Sequence, residues 1–388
     1  MIRRLAVVTA AVLAATAAPA VAADGGWDVP SSATITIDGH GHGHGRGMSQ
    51  VGAGQRAEDG ADYREILGFY YPGTDWGTAT GQVRIWISEG DRANALQVAP
   101  RRGLVARRVG TAKVWDLTRA QPRARGWRIL PKGDHASVLQ YRKRGWHQLR
   151  RVRGLLEFAG RGRPIELAKR HGKASYRGVL RSVPSSPGNR ITVNIVPMDA
   201  YLRGVVPAEV VASRWPQQAQ RAQAVAARSY AALKRSTRPG KPYDLDDTTR
   251  YQRYLGADAE YPASDQAVAA TAGEVLTYAG APAFTEFTAS NGGWTVAGDE
   301  PYLPAQEDPY DSDTWGPVTF SDTEIEAHWP EIGDLNRIEI GGRDDHGDHD
   351  ARGGTVTLTG GSGTVTVSGD VFAGKLHLQS SWLTIAVR

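Results

Sequence analysis

Most of the chain alternates between apolar and polar residues with the two-residue period of β-strands. This alternation predicts strands at 33–38, repeatedly through 83–196, and again at 274–278, 283–288, 355–359, 364–368 and 382–387. Helical spacing occurs at 51–59, 63–70, 264–272 and, most clearly, at 217–235, an alanine-rich stretch that follows Pro216. One long helix among many short strands predicts an α+β fold that is β-rich and mixed in architecture.

The pattern divides the sequence into four segments. Residues 1–23 contain Arg3 and Arg4, a short apolar run and the cleavage-type sequence Ala20-Val21-Ala22, all typical of a signal peptide. The other segments are 24–82 with a glycine-histidine motif and short helices, 83–196 with a basic β-rich pattern, and 197–388 with the long helix and C-terminal strands. We expect an exported protein that keeps no membrane insertion after signal cleavage, because the apolar run is shorter than the roughly 20 residues that cross a bilayer and no other stretch is long and apolar enough. The alternative is that the N-terminal run is retained as a membrane anchor.

Composition and charge limit the kinds of catalytic site and binding partner that the protein can have. The 388 residues include no cysteine, which excludes disulfides, thiolate nucleophiles and cysteine-bound zinc. The net charge is +5, but 101–181 holds 23 Lys and Arg against four acidic residues. Such a stretch suits nucleic acid or the anionic polymers of a bacterial envelope, and it also suits a solvated strand face without a partner. Export favours the envelope, so no nucleic-acid partner is predicted.

Histidines at 40, 42 and 44 alternate with glycines. In an extended strand this spacing points three imidazoles to one face, as an open zinc site requires. Glycine at every second position instead favours close approach of the backbone to a ligand or a neighbouring strand, with one histidine in a cleft. The prediction therefore assigns neither a metal nor a cofactor, and the zinc alternative stays open.

Two charged residues stand in apolar or small surroundings. Glu209 follows Val205-Val206-Pro207-Ala208, where burial would raise its pKa toward that of a general acid. Its alternative role is that of a helix-start carboxylate that interacts with the helix dipole. Arg228 interrupts a run of small residues in the long helix, so it needs an anionic or hydrogen-bonding partner, either structural or in a substrate.

Several motifs together resemble the family of sporulation stage II protein D (SpoIID) and the amidase enhancer LytB. They are GHGHGRGMSQVGA at 41–53, YREIL at 63–67 with YYPGT at 70–74, YRG at 176–178, YLRGVVPAE at 201–209, QAVAARSYA at 223–231, SNGGWT at 290–295 and PYL at 301–303. They are spread over most of the mature chain.

The resemblance implies a secreted, cell-wall-associated protein that acts on peptidoglycan. It maps the catalytic acid/base of a lytic transglycosylase, which cleaves glycan between N-acetylmuramic acid and N-acetylglucosamine, onto Glu209. It places Arg228 and His44 in the cleft, with Ser49, Gln50, Tyr201 and Ser290 as further substrate-binding residues. The alternative is a non-catalytic wall-binding enhancer, whose partner would be a cell-wall amidase.

Two features depart from the family pattern. Tyr251 stands where some members have a zinc-binding cysteine, so a cysteine-dependent zinc site is excluded. The glycine-histidine motif opens the mature chain, whereas in the sporulation protein it lies near the C-terminus. We therefore predict a circular-permutation-like order in which 33–38 and 382–387 are neighbouring strands, so that Glu209, Arg228 and His44 still meet.

Overall fold

The computed structural model describes residues 23–90, 94–133, 135–347 and 352–388. The predicted signal peptide thus lies, apart from Ala23, outside the described residues. The chain forms two compact units, one built from the residues before His40 together with those from Trp315 onward, and the other from His40–Thr314. Over the described ranges, no helix combines the length and the hydropathy of a membrane span.

The described helices are α1 (Gln50–Glu58), α2 (Tyr63–Tyr70), α3 (Leu117–Ala120), α4 (Met198–Leu202), α5 (Val206–Glu209), α6 (Gln217–Ser236), α7 (Pro262–Ala270), α8 (Asp322–His328) and α9 (Gly369–Lys375), with short 3-10 helices at Gly256–Ala259 and Pro330–Ile332.

The described strands up to the long helix are β1 (Ala23–Asp28), β2 (Thr34–His40), β3 (Met48–Ser49), β4 (Asp75–Thr78), β5 (Gln82–Ile87), β6 (Leu96–Val98), β7 (Val105–Arg108), β8 (Val114–Asp116), β9 (Trp127–Pro131), β10 (Ala136–Arg142), β11 (Trp146–Arg153), β12 (Leu156–Ala159), β13 (Ile165–Ala168), β14 (Lys173–Tyr176), β15 (Val179–Ser186) and β16 (Asn189–Pro197). Those after it are β17 (Leu245–Asp246), β18 (Glu274–Tyr278), β19 (Ala281–Pro282), β20 (Phe287–Thr288), β21 (Thr314–Ser321), β22 (Leu335–Gly341), β23 (Thr355–Gly360), β24 (Thr364–Ser368) and β25 (Leu383–Val387). The α+β, β-rich prediction is confirmed.

The unit formed by the two chain ends contains a four-stranded sheet in the order β1-β22-β23-β24 and a three-stranded sheet in the order β21-β2-β25. Its core includes Trp329 stacked on Phe372 of α9, with ring centroids 5.5 Å apart. Strands β2 and β25 pair antiparallel, with Ile35 opposite Val387 and Gly39 opposite Leu383. The predicted neighbourhood of these two strands is confirmed, whereas an origin by permutation stays a prediction.

The His40–Thr314 unit contains two larger sheets, ordered β11-β10-β9-β6-β13-β14 and β17-β5-β16-β15-β12-β7-β8. These sheets hold the basic region. Helix α6 lies beside them and contacts α1, α2, α4, α5, α7 and β18. Alanines at buried α6 positions let these neighbours approach closely, because their side chains occupy little volume.

One predicted strand is only partly correct. Within 283–288, only Phe287 and Thr288 pair as a strand, with Met48 and Ser49 of β3. Two of the preceding residues form hydrogen bonds outside a sheet. The backbone N–H of Phe284 donates to the Tyr302 hydroxyl, and the Thr285 hydroxyl donates to the carbonyl of Ala226 in α6. The alternating pattern therefore reflects packing against a helix as well as strand pairing.

The parallel pairing of β3 with β20 requires glycine immediately before it. Gly47 has a φ of 66°, and a Cβ at this position would overlap the carbonyl oxygen of Glu286. Side chains are disfavoured at such a φ, and here no space exists for one.

Replacing Gly47 by alanine is expected to lower the free energy of unfolding by about 2–4 kcal/mol, because backbone strain adds to the steric overlap. Gly73→Ala is the matched control, since Gly73 has a φ of 76° but no atom within 4 Å of the position that a Cβ would take. It should cost only about 1 kcal/mol. Urea denaturation measures both; equal losses would show that the contact with Glu286 contributes nothing.

Candidate functional site

Glu209 ends the short helix α5 and is followed by a loop that leads into α6. Val205 and Val206 are fully buried and anchor the start of this segment. The loop is held from the α6 side, because the Gln220 side-chain amide donates to the carbonyls of Ala212 at 3.1 Å and Trp215 at 2.8 Å. The position of Glu209 is therefore fixed on both sides by buried contacts.

The Glu209 carboxylate is half-buried and accepts a hydrogen bond from the backbone N–H of Arg253 at 2.7 Å. Burial raises the pKa of the Glu209 carboxyl above its usual value, and the hydrogen bond and positive charge of Arg253 oppose this shift. A raised pKa brings a carboxyl closer to the range that suits a general acid at neutral pH.

A surface cavity of about 380 Å³ opens beside this carboxylate. Val211 and Tyr261 line it with much of their surface free, at 54% and 42% exposure. The remaining lining residues are Pro207, Ala208, Val210, Ala212, Ser213 and Ala259. Glu209 is the one acidic residue among the described residues that line this cavity, and the exposure of Val211 and Tyr261 is unusual because large apolar side chains mostly become buried on folding.

Arg253 is positioned by a chain of buried polar groups. The Tyr201 hydroxyl donates to Oε1 of Gln252 at 3.0 Å, and the Gln252 side-chain amide donates to the Ala227 carbonyl at 3.2 Å. Gln252 precedes Arg253, so these bonds hold the N–H that faces Glu209. Tyr201 is fully buried, and its predicted role as a substrate contact stays a prediction.

Arg228 has structural partners. Its Nε donates to Asp199 at 3.0 Å, and its other nitrogens donate to the carbonyls of Glu274 at 3.1 Å and Val268 at 3.3 Å. The side chain is 0% exposed, so of the two alternatives raised by the sequence the structure favours the structural one. Arg228 ties α6 to α4, α7 and β18 and does not line the Glu209 cavity.

Ser49 and Ser290 meet at a buried aspartate. The Ser49 hydroxyl donates to Asp311 at 2.6 Å and the Ser290 hydroxyl donates to the same carboxylate at 2.8 Å. Ser49 also caps α1 by accepting from the N–H of Gly52. Both serines are 0% exposed, so these contacts join the glycine-histidine segment to the 290–311 segment.

Gln50 links α1 to the long helix, because its amide donates to Gln223 of α6 at 3.3 Å. Helix α1 also approaches the loop after Glu209: a Cβ on Gly54 would lie 3.8 Å from the ring of Trp215. The glycine-histidine segment is therefore connected to the Glu209 segment through α1 and α6.

The loop that precedes α1 bends at each glycine. Gly41, Gly43, Gly45 and Gly47 all have positive φ values between 66° and 97°, and a Cβ on Gly41 would crowd the backbone of 290–292. The prediction that the glycines permit close approach to a neighbouring segment is confirmed. An extended strand with three imidazoles on one face is not formed, and the described residues contain no group of His, Asp and Glu side chains arranged to hold a metal.

His44 is half-buried, and its Nδ1 accepts from the backbone N–H of Arg46 at 3.0 Å. In the neutral imidazole the proton then lies on Nε2, which leaves this nitrogen as the donor. Arg46 in turn forms an ion pair with Glu286 at 3.1 Å. The hydrogen bond from the Arg46 N–H thus orients the ring of His44, the histidine that the family resemblance places in the cleft.

The sequence alone did not indicate Gln252, Arg253 or Asp311. The first two lie in the 249–256 stretch, whose most visible feature is Tyr251 in place of a cysteine. Gln252, which follows Tyr251, is the residue in this stretch that could have indicated a buried hydrogen-bonding position. Asp311 lies in an acidic loop without a periodic pattern, and its role depends on segments far apart in sequence.

Comparison with known proteins gives a consistent result. The family model described as Stage II sporulation protein matches residues 187–278. An uncharacterized protein of Brachyspira hyodysenteriae is 37% identical over 135 residues, which are 33% of this chain and 36% of that protein. The amidase enhancer of Bacillus subtilis is 36% identical over 132 residues, which are 32% of this chain and 18% of the enhancer. Stage II sporulation protein D of Bacillus amyloliquefaciens is 29% identical over 151 residues, which are 34% and 44% of the two chains.

The matches thus span less than half the length of each of these relatives. The family model and one relative carry the stage II sporulation name, a second relative is an amidase enhancer, and the family model covers α6 together with the Glu209 segment. On these grounds, residues 187–278 match the family described as Stage II sporulation protein, and about a third of the chain is similar to an amidase enhancer and to a stage II sporulation protein D.

Proposed function

We propose that this protein is exported and acts on bacterial peptidoglycan as a lytic transglycosylase, with Glu209 as its general acid and base. The family and the amidase enhancer relative support a cell-wall-related function. The finer proposal is supported by the half-buried Glu209 carboxyl at the edge of an open cavity, where burial raises its pKa above the usual value.

The proposed reaction uses one carboxyl twice. Protonated Glu209 donates its proton to the glycosidic oxygen as the bond from that oxygen to the muramyl anomeric carbon breaks. The resulting carboxylate then removes the proton from the muramyl 6-hydroxyl, whose oxygen bonds to the anomeric carbon and closes a 1,6-anhydro ring. The internal nucleophile replaces water, so no second carboxylate is required.

Two features of the site suit this chemistry. The Arg253 N–H stabilises the carboxylate formed after the first proton transfer, because it already donates to Oε1. The exposed ring of Tyr261 and side chain of Val211 provide apolar surface against which the less polar face of a sugar ring can pack. Binding and proton transfer are therefore supplied by adjacent groups.

The alternative function is that of a non-catalytic enhancer that holds glycan in the same cavity and stimulates a cell-wall amidase. It is favoured by the similarity to the Bacillus subtilis amidase enhancer. Both functions predict glycan binding, and only the transglycosylase produces anhydro ends.

Replacing Glu209 with glutamine is expected to reduce glycan cleavage by at least about 100-fold, because the proton donor is lost. Glutamine retains an oxygen that can accept from Arg253, so glycan binding should persist. Mass spectrometry of purified glycan strands, with and without stem peptides, should detect 1,6-anhydro-muramyl ends with the unaltered protein.

Glu58→Gln supplies the control, because Glu58 is an exposed glutamate at the end of α1. It should leave cleavage unchanged. If the unaltered protein binds strands and releases no products, the transglycosylase proposal fails and the enhancer function takes its place.

Glu209→Gln is also expected to stabilise the protein at neutral pH. Because the raised pKa means that the folded protein binds this proton more tightly than the unfolded chain, stability is lost as pH rises from the unfolded-state pKa through the folded-state pKa. Glutamine carries no such penalty. Its advantage in Tm should be present above the folded-state pKa and should disappear below the usual glutamate value of about 4.3.

Thermal unfolding of both proteins between pH 4 and 8 measures this difference, with buffers of matched ionic strength. A variant that is less stable than the unaltered protein at neutral pH would mean that the folded state favours the charged carboxylate, contrary to the assignment.

A further inference from the structure

Two sheet edges lie on either side of a cavity in the basic region. Strand β8 is the last strand of the seven-stranded sheet, and β11 is the last strand of the six-stranded sheet. A cavity of about 590 Å³ is lined by 112–115, which include most of β8, by 150–153 of β11, and by Arg108 of β7. Both edges belong to the His40–Thr314 unit.

The cavity wall carries five cations, Arg108, Lys113, Arg150, Arg151 and Arg153, which we call the basic groove. Within the described ranges, none of these five forms an ion pair. Two arginines near the groove differ: Arg107 and Arg181 both bind Glu157, at 3.3 Å and 2.7 Å. Among the described residues, Glu157 therefore balances the charge of Arg107 and Arg181, whereas no acidic side chain pairs with the five cations of the basic groove.

The groove continues into a second cavity of about 550 Å³, whose lining includes Arg108, Arg153 and His135. Because Arg108 and Arg153 line both cavities, the two form a connected positively charged track. Closely spaced cations of one sign raise the local concentration of anions, and a long track favours a polymer over a single ion.

Positive charge on exposed strands also prevents edge-to-edge aggregation. That role accounts for Arg150 and Arg153 taken alone. It does not account for Arg108, because β7 pairs with β12 on one side and β8 on the other and so presents no free edge. The basic groove is therefore lined by residues of the interior strand β7 as well as of the edge strands β8 and β11.

We propose that the basic groove binds an anionic polymer of the polyol phosphate type, a phosphodiester chain without bases. Arginine forks match phosphate oxygens and bind them through paired hydrogen bonds, and four of the five cations are arginines. Trp115 is the one aromatic residue among the described residues that line this cavity, whereas sites for single-stranded nucleic acid place aromatic rings under successive bases. The lining thus favours recognition of a charged backbone.

The proposal does not depend on Glu209, because the residues that line the groove and those that line the Glu209 cavity do not overlap. A failure of one function is therefore distinguishable from a failure of the other. The Glu209→Gln protein should bind the polymer as the unaltered protein does.

The test is fluorescence anisotropy with a labelled synthetic glycerol phosphate oligomer and the full chain at several salt concentrations. The double variant Arg150→Gln, Arg153→Gln removes two groove charges from exposed side chains that make no described hydrogen bond. We expect binding to weaken by roughly tenfold or more at low salt, and the slope of log affinity against log salt to fall by about one to two.

The matched control is Arg102→Gln, Lys241→Gln, which removes the same total charge from exposed side chains outside both cavities. It should leave the affinity within about twofold, since binding depends on local contacts more than on net charge. Oligothymidylate of equal charge tests for nucleic acid, and polyglutamate of equal charge tests for carboxylate polymers.

Tighter binding of the glycerol phosphate oligomer than of either comparison polymer, lost in the groove variant alone, supports the proposal. No binding at low salt, or equal weakening in the groove and control variants, overturns the site. Equal or tighter binding of oligothymidylate or polyglutamate overturns the assignment of the polymer.

Discussion

The His40–Thr314 unit depends on the burial of helix α6 among other elements. A helix enclosed by α1, α2, α4, α5, α7 and β18 leaves little room for large side chains, and its buried positions are mostly alanine. Each buried polar side chain must then find a partner inside the protein, because an unpaired one costs about 1–3 kcal/mol. Gln220, Gln223 and Arg228 bond three different neighbouring segments, although Oε1 of Gln220 and Nε2 of Gln223 have no hydrogen-bond partner among the described residues.

These bonds determine where Glu209 lies. Gln220 holds the loop that follows it, and the carbonyl of Ala227 holds Gln252 beside the Arg253 N–H that reaches the carboxylate. The helix therefore positions both the acid and the donor facing it, although neither belongs to the helix. Partial burial raises the pKa of the Glu209 carboxyl, which links the packing of a small-residue helix to the proposed proton transfer.

The sequence predicted those features that depend on local pattern or on motif identity. Helices α1, α2 and α6 follow from apolar spacing, and β23 to β25 follow from alternation between turns. The pairing of β2 with β25 could be predicted, because the order of the motifs suggested that these two segments are neighbours. Glu209 was singled out as a candidate by its apolar and small neighbours, and its role as acid and base was implied by the family resemblance.

The features that escaped prediction are set by contacts between distant segments. The alternating pattern at 283–288 predicted a strand, yet Thr285 bonds a helix carbonyl 59 positions earlier. Arg228 had two interpretations, and only the positions of Asp199, Val268 and Glu274 favour the structural one. Asp311 joins two serines that are 241 positions apart (49 and 290), which no local pattern encodes.

The proposed proton transfer depends on burial, which raises the pKa of the Glu209 carboxyl above that of an ordinary glutamate. Carbon-13 NMR titration of labelled glutamate, with Glu209→Gln used to assign the resonance, measures this directly. We predict a pKa for Glu209 above the usual value of about 4.3. A value at or below that figure would contradict the role of Glu209 as a general acid, since burial would then not favour its protonated form.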